Sequence, residues 1–323
     1  MKNLDYLFIN GNVAAKSVSL LKENEYQVLA SSKSGFFKKL IDYGYKNLEY
    51  SSIDALINEA YLDLKKYISD ITEQNEHIMK YFFFRFDVSN VLVLLKGRLV
   101  NQNGKLNEIG NFSKENLINI LDLQNNGAIT DEMDFFEVVR KNFDNKNSFN
   151  LSNDILRASY DYLYNYVICS YVALEKAFNI EVTLKNVLTY FRSKRLSFSQ
   201  NEYLDSIIPY GLIDYSTWSK YYDLTVSEVI DGLKIVFNSD FAVALEALKN
   251  INELDNFNNA LLNIKNNLLK DIAKEEEILG SLISYVNQKE LEFKNIKSVY
   301  FDSSNLSKII LWGTYGRYSI NFK

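Results

Sequence analysis

Apolar residues along this chain recur every three or four positions, the period of an amphipathic helix. Residues 53–72, IDALINEAYLDLKKYISDIT, show it best: Ile53, Leu56, Ile57, Ala60, Leu64 and Ile68 fall on one stripe, with charges opposite. Residues 152–178 and 254–273 follow the same pattern and predict two further long helices. Strict alternation, the mark of a half-buried strand, is almost absent. Helix starts are written in as well. Thr225-Val-Ser-Glu228 has capping-box spacing, and Thr130-Asp131 precedes an apolar run as an N-cap would. The polar stretches NQNGKLNEIGN (101–111) and LSFSQNEYLDSIIPYG (196–211) read as breaks and divide the chain into pieces of similar size. With one proline and twelve glycines in 323 residues, little interrupts helices elsewhere. The predicted class is all-α, and length alone suggests two or three domains of roughly 100–150 residues each.

One segment breaks the amphipathic rule. YFFFRFDVSNVLVLLKGRLV (81–100) is apolar enough to suggest a membrane span, yet Arg85, Asp87, Asn90, Lys96 and Arg98 punctuate it. An acid or threonine followed three residues later by asparagine recurs twice more: Asp87-Val-Ser-Asn90, Thr183-Leu-Lys-Asn186 and Glu292-Phe-Lys-Asn295. A glycine lies near the start of each piece, and the glycine-to-asparagine separations are 79, 76 and 84 residues (11 to 90, 110 to 186, 211 to 295). Between them come short apolar triplets: Phe37/Leu40/Tyr43, Phe136/Val139/Phe143 and Ile230/Leu233/Val236. Similar elements in the same order at similar spacing point to an internal triplication, with repeats at 1–105, 106–203 and 204–323. Residues i and i+3 share a helix face, so each pair points one way. Buried, such a pair needs partners, since an unsatisfied polar group costs about 1–3 kcal/mol. The first reading is a clasp to a neighbouring helix or loop; the second is contact with a partner protein. A catalytic role is disfavoured because Thr183 replaces the acid in the middle repeat.

Composition narrows the chemistry. Cys169 is the only cysteine and His77 the only histidine, which argues against an intrachain disulfide, a His-rich metal site and a Ser-His-Asp triad. Each reads as a partly exposed helix residue. The net charge of −5, with both signs interspersed, disfavours a nucleic-acid partner. There is no phosphate-binding GxxxxGK[ST] and no GxSxG elbow; GTYGRY (313–318) and GSLISY (280–285) are neither. Glu275-Glu276-Glu277 reads as solvated charge at the start of the third long helix. No run approaches about 18 uninterrupted apolar residues and the N-terminus lacks a signal-like apolar core, so a soluble chain in a reducing compartment is expected. No catalytic residue, cofactor or metal is assigned.

The stretch ISYVNQKELEFKNIKSVYF (283–301) resembles the C-terminal signature of the C-type subunits of A/V-type rotary ATPases, equivalent to the d-type subunits of eukaryotic vacuolar enzymes. That signature falls here on Tyr285, Lys289-Glu290, Glu292 and Asn295-Ile296-Lys297. The Asp87-x-x-Asn90 step, FINGNVAAKSVSLL (8–21) and IPYGLIDYSTW (208–218) resemble other parts of the family, with Asn12 and Ala14 where arginines are common. The resemblance implies three similar helical domains around a pseudo-threefold axis, forming a funnel. It implies a non-catalytic central-rotor subunit, one copy per complex, with central stalk subunits of the D and F type in the funnel. A membrane rotor ring of c/K-type proteolipids would lie on the opposite face. It implies no nucleotide binding, and a place on the cytoplasmic side of the membrane. Asp87, Asn90, Thr183, Asn186, Glu290, Glu292 and Asn295 are the structural or interface candidates. The competing readings are a helical-repeat binding scaffold unrelated to a motor, and a helical enzyme using Asp87 and Glu290 as acid and base.

Overall fold

The computed structural model describes residues 5–46, 50–102, 104–122, 135–139, 148–237, 246, 254–276 and 278–309. Among them every regular element is helical, so the fold is all-α. The expected cap at Thr130-Asp131, Phe143 and the GTYGRY stretch lie outside the described residues.

The chain opens with α1 (Tyr6–Ser17), α2 (Glu23–Ser31) and α3 (Phe36–Asp42), then two longer helices, α4 (Ile53–Ile71) and α5 (Glu76–Val100). After a non-helical link come α6 (Lys114–Leu121), a helical turn at 135–139, α7 (Ser148–Tyr162) and α8 (Val172–Leu196). The last third holds α9 (Gln200–Ser206), α10 (Tyr215–Tyr221), α11 (Val226–Phe237), α12 (Leu254–Glu275) and α13 (Gly280–Phe301). The starts are capped as side-chain chemistry requires. Asn75 Oδ1 accepts from the Ile78 N–H at 3.2 Å, and Thr225 and Glu228 form the expected reciprocal box. Both α5 and α8 end on a left-handed residue, Asn101 (φ 51°) and Ser197 (φ 53°).

Three stretches depart from the periodicity. The helix expected over 152–178 is broken at Leu163–Val167, a π turn, and at Ile168–Ser170, a 3-10 turn. The tyrosines there take tertiary partners on different sides: Tyr162 meets Phe84 with ring centroids 4.7 Å apart, and Tyr164 stacks on Tyr210 at 4.2 Å. The break at 196–211 contains a helix, α9, started by the Ser199–Glu202 capping box. The acidic run does not begin a helix: Glu275 ends α12, and with Glu276 it pairs Lys176 of α8 at 3.2 and 2.6 Å. A cation suits those carboxylates as well as a helix N-terminus would.

Packing follows a closed order. α4 lies on α5, α5 on α7, α8 on α12, α12 on α13, and α13 returns to α4, α1 and α2. The α7–α8 step runs through the broken turns at 163–170. Phe84, Val88, Val91 and Leu95 of α5 share one core with Leu117, Phe135, Phe136, Leu151 and Ile155 that follow the link. A larger core unites Leu64 and Ile68 of α4 with Phe178 and Tyr190 of α8, Ile264 of α12 and Phe293 of α13. Each such side chain contributes roughly 1.5–3 kcal/mol of burial. This explains the segment at 81–100. α5 is covered on several sides and so is apolar nearly all round, and no helix among the described residues is long and apolar enough to cross a membrane.

Candidate functional site

Three long packed helices, α5, α8 and α13, each grip the stretch of chain that opens another group of helices. On α5, Asp87 is wholly buried and accepts from the backbone N–H groups of Asn111 (2.8 Å) and Phe112 (3.0 Å) and from the Asn111 side chain (3.2 Å). Asn90, one turn on, donates to the Asn107 carbonyl at 2.9 Å and accepts from its N–H at 3.0 Å. Lys65 of α4 donates to the Gly110 carbonyl, closing the grip from the other side. Gly110 is required there, because a Cβ would overlap Asp87 Oδ1. Ser113, immediately after Phe112, is the N-cap of α6.

α8 repeats this with different chemistry. Asn186 donates to the Ile208 carbonyl at 2.8 Å and accepts from its N–H at 3.0 Å. Thr183 Oγ1 accepts from the Leu212 N–H at 2.7 Å and donates to the Asn179 carbonyl at 2.7 Å. Gly211 stands in the left-handed region (φ +109°), and a Cβ on it would lie 2.6 Å from Thr183 Oγ1. Asp214 then caps α10.

On α13 the grip reaches across the whole sequence. Glu292 accepts from the Leu21 N–H and from the Tyr45 hydroxyl, each at 2.7 Å, and pairs with Lys289. Lys22, directly afterwards, stands at the N-cap position of α2, its N–H donating to Glu25 Oε2 at 2.6 Å. Asn295, 5% exposed, hydrogen-bonds Tyr26 of α2. The residue in the place of Gly110 and Gly211 is therefore near Leu20. Gly11 lies within α1 with nothing within 4 Å of a built Cβ, so it plays no part in a grip.

The opposite face of the same helices lines a cavity of about 280 Å³. Two residues along a helix turns the side chain about 200°. The residues two positions before Asp87, Thr183 and Glu292 are Arg85, Glu181 and Glu290, and all three line the cavity. So do Phe82, Phe178 and Asn287, each five positions before its grip residue. α7 adds Ser159 and Tyr160, and α12 adds Lys265. Arg85 pairs both guanidinium nitrogens with Glu290, Nη1 to Oε2 at 3.2 Å. Lys265 stands 3.9 Å from Glu181, at the limit of an ion pair, and Lys185 lies over the Tyr160 ring at 5.1 Å.

Burial alone would raise the Glu181 carboxyl, but Lys265, Lys185 and Arg85 together hold it below its ordinary range. Burial pushes Lys185 down, against the attraction of Glu181. Asp87 is raised to about 6 by burial, which outweighs the N–H groups of Phe112 and Asn111 and the charge of Lys65. Neither Asp87 nor Glu290 has the free geometry of an acid–base pair, since each is engaged by fixed donors. Among the described residues no group of His, Cys, Asp and Glu could hold a metal ion. Of the sequence candidates, six form the grips and Glu290 forms the cavity pair. Sequence reasoning does not single out Glu181, Lys185 or Lys265, although a charge two residues before a grip is a readable signal at Arg85, Glu181 and Glu290.

A family model described as ATP synthase (C/AC39) subunit matches residues 9–301. The chain belongs to that family. It is thus a subunit of an A/V-type rotary ATPase other than the catalytic one. No curated protein matches the chain in sequence.

Proposed function

We propose that this ATPase subunit is the central-rotor adaptor, seating the lower end of the central stalk on the membrane rotor ring and transmitting torque between them. In this reading the repeats 1–105, 106–203 and 204–323 surround a pseudo-threefold axis and form a funnel. The D- and F-type stalk subunits enter it, and the c/K-type proteolipid ring lies on the far side. One copy serves each complex, peripheral on the cytoplasmic face of the membrane. The observation that carries the reading is the junction: α5, α8 and α13 bring residues at equal offsets from their grips to one cavity, where charged groups stand among apolar walls. An adaptor under torque must resist shear. Close-packed helices with each group pinned to the next by buried hydrogen bonds do so better than modules joined by free linkers. Mixed charge at the junction favours complementary, partly wet contacts with the stalk over one apolar plug.

The test is reconstitution of the rotary complex with and without the chain. Without it, ATP hydrolysis by the free head is expected to persist while ATP-driven ion transport is lost, and the chain should be recovered at one copy per active complex. Full ion transport in its absence would refute the adaptor role.

A further inference from the structure

The charge inventory of the junction cavity does not balance. Its lining carries three cations, Arg85, Lys185 and Lys265, against two carboxylates, Glu181 and Glu290. Arg85 and Glu290 are consumed by their two-point pair. Glu181 is left to serve two ammonium groups, reaching Lys265 at 3.9 Å and forming no ion pair with Lys185 among the described residues. Lys185 is instead held over the neutral Tyr160 ring. The other titratable side chain on the wall, Tyr81 of α5, is kept protonated by burial and adds no negative charge. Beyond the wall, Arg192 of the same helix adds positive potential at Lys185. A partly buried cation in excess, with apolar walls from Phe82, Phe178 and Leu163, attracts an anion more strongly than a surface lysine does. Ser89 and Asn287, whose Nδ2 donates to Asn266, add polar groups to the same wall. The volume fits one or two side chains and not a helix.

We propose that this cavity receives a carboxylate, supplied by an acidic side chain projecting from the lower end of the central stalk, which completes the ion set around Lys185 and Lys265. The proposal rests on the adaptor reading and makes that reading specific: the stalk is keyed into the junction by one buried acid.

The experiment is calorimetric binding of the purified pair of stalk proteins to the intact chain. Lys185→Gln should weaken binding roughly tenfold or more, Lys265→Gln less, and high salt should weaken wild-type binding. Glu181→Gln should tighten it several-fold, because the competing internal anion is gone. Melting and circular dichroism establish that each variant folds, and Lys185→Met supplies a second neutral variant of similar length. Weakening by Glu181→Gln with no loss from either Lys185 variant would overturn the proposal and indicate a cationic ligand. Wild-type binding indifferent to all these changes overturns the carboxylate key while leaving the socket standing. No binding by the wild-type chain removes the socket itself and the key with it. A parallel titration with succinate alone tests the source: saturation at micromolar concentration that also displaces the stalk would assign the site to a free anion and overturn the stalk as its donor.

Discussion

The grips on α5 and α8 do the same mechanical job with different chemistry. In both, asparagine makes a two-way bond to one link residue, Asn90 to Asn107 and Asn186 to Ile208. One turn earlier the helices diverge. Asp87 serves three donors with two oxygens, while Thr183 serves one N–H and sends its own proton to Asn179. The link therefore needs an acceptor at that place and does not need a charge. The charge has a cost, visible in the raised Asp87 carboxyl and in the approach of Lys65. What it supplies is a second lone-pair-rich oxygen, so that two successive backbone N–H groups are held instead of one.

The largest effect expected from this contrast is at Asp87→Ala. It leaves the N–H groups of Asn111 and Phe112 without their acceptor in a buried joint and should cost about 3–5 kcal/mol of stability in urea unfolding. A loss below about 1 kcal/mol would show that those N–H groups find water and that the grip is incidental.

Next in size is the pH dependence that only the α5 grip should have. Asp87 has a folded pKa near 6 against an ordinary 3.8, so the folded chain binds its proton where the unfolded chain has released it. The stabilisation from protonated Asp87 is complete below about pH 4 and is lost as pH rises to 6, a change of about 2–3 kcal/mol. Measured between pH 4 and 7, the unfolding free energy of wild type minus that of Asp87→Asn should fall by that amount. A difference that stays flat, or rises, contradicts the burial argument.

The glycines show how much of this is legible in sequence. Gly11, Gly110 and Gly211 recur at similar spacing, yet only the latter two lie against a grip residue. Gly110→Ala and Gly211→Ala should each cost about 2 kcal/mol, whereas Gly11→Ala should be neutral or stabilise α1 by up to about 1 kcal/mol. Equal losses at all three would restore the simpler repeat. The helices themselves follow from apolar spacing, because that spacing is a local property. The shared face of Asp87 and Asn90 follows from helix geometry. What each pair holds does not follow, since the partner lies in an unpatterned link or, for Glu292 and Leu21, at the far end of the chain. The break at 163–170 falls inside a stretch whose apolar spacing is continuous, so periodicity alone does not show it. Helix α9 escapes the apolar pattern although Ser199-x-x-Glu202 spells its cap. The cavity charges are hidden because Lys265 comes from a different helix than Glu181 and Lys185.

The smallest and most discriminating change is at Thr183. Thr183→Val keeps the shape and removes the oxygen, so the Leu212 N–H loses its acceptor while the Asn179 carbonyl keeps its place in α8. The expected cost is about 1–2 kcal/mol, less than for Asp87→Ala because one donor is abandoned instead of two, and it should be independent of pH between 4 and 7. Thr183→Ser should restore most of it, since only the hydroxyl is asked for. If Thr183→Val cost as much as Asp87→Ala, the strength of a grip would depend on how the link packs and not on how many N–H groups it satisfies. The contrast between the two helices would then be one of packing, with charge a bystander.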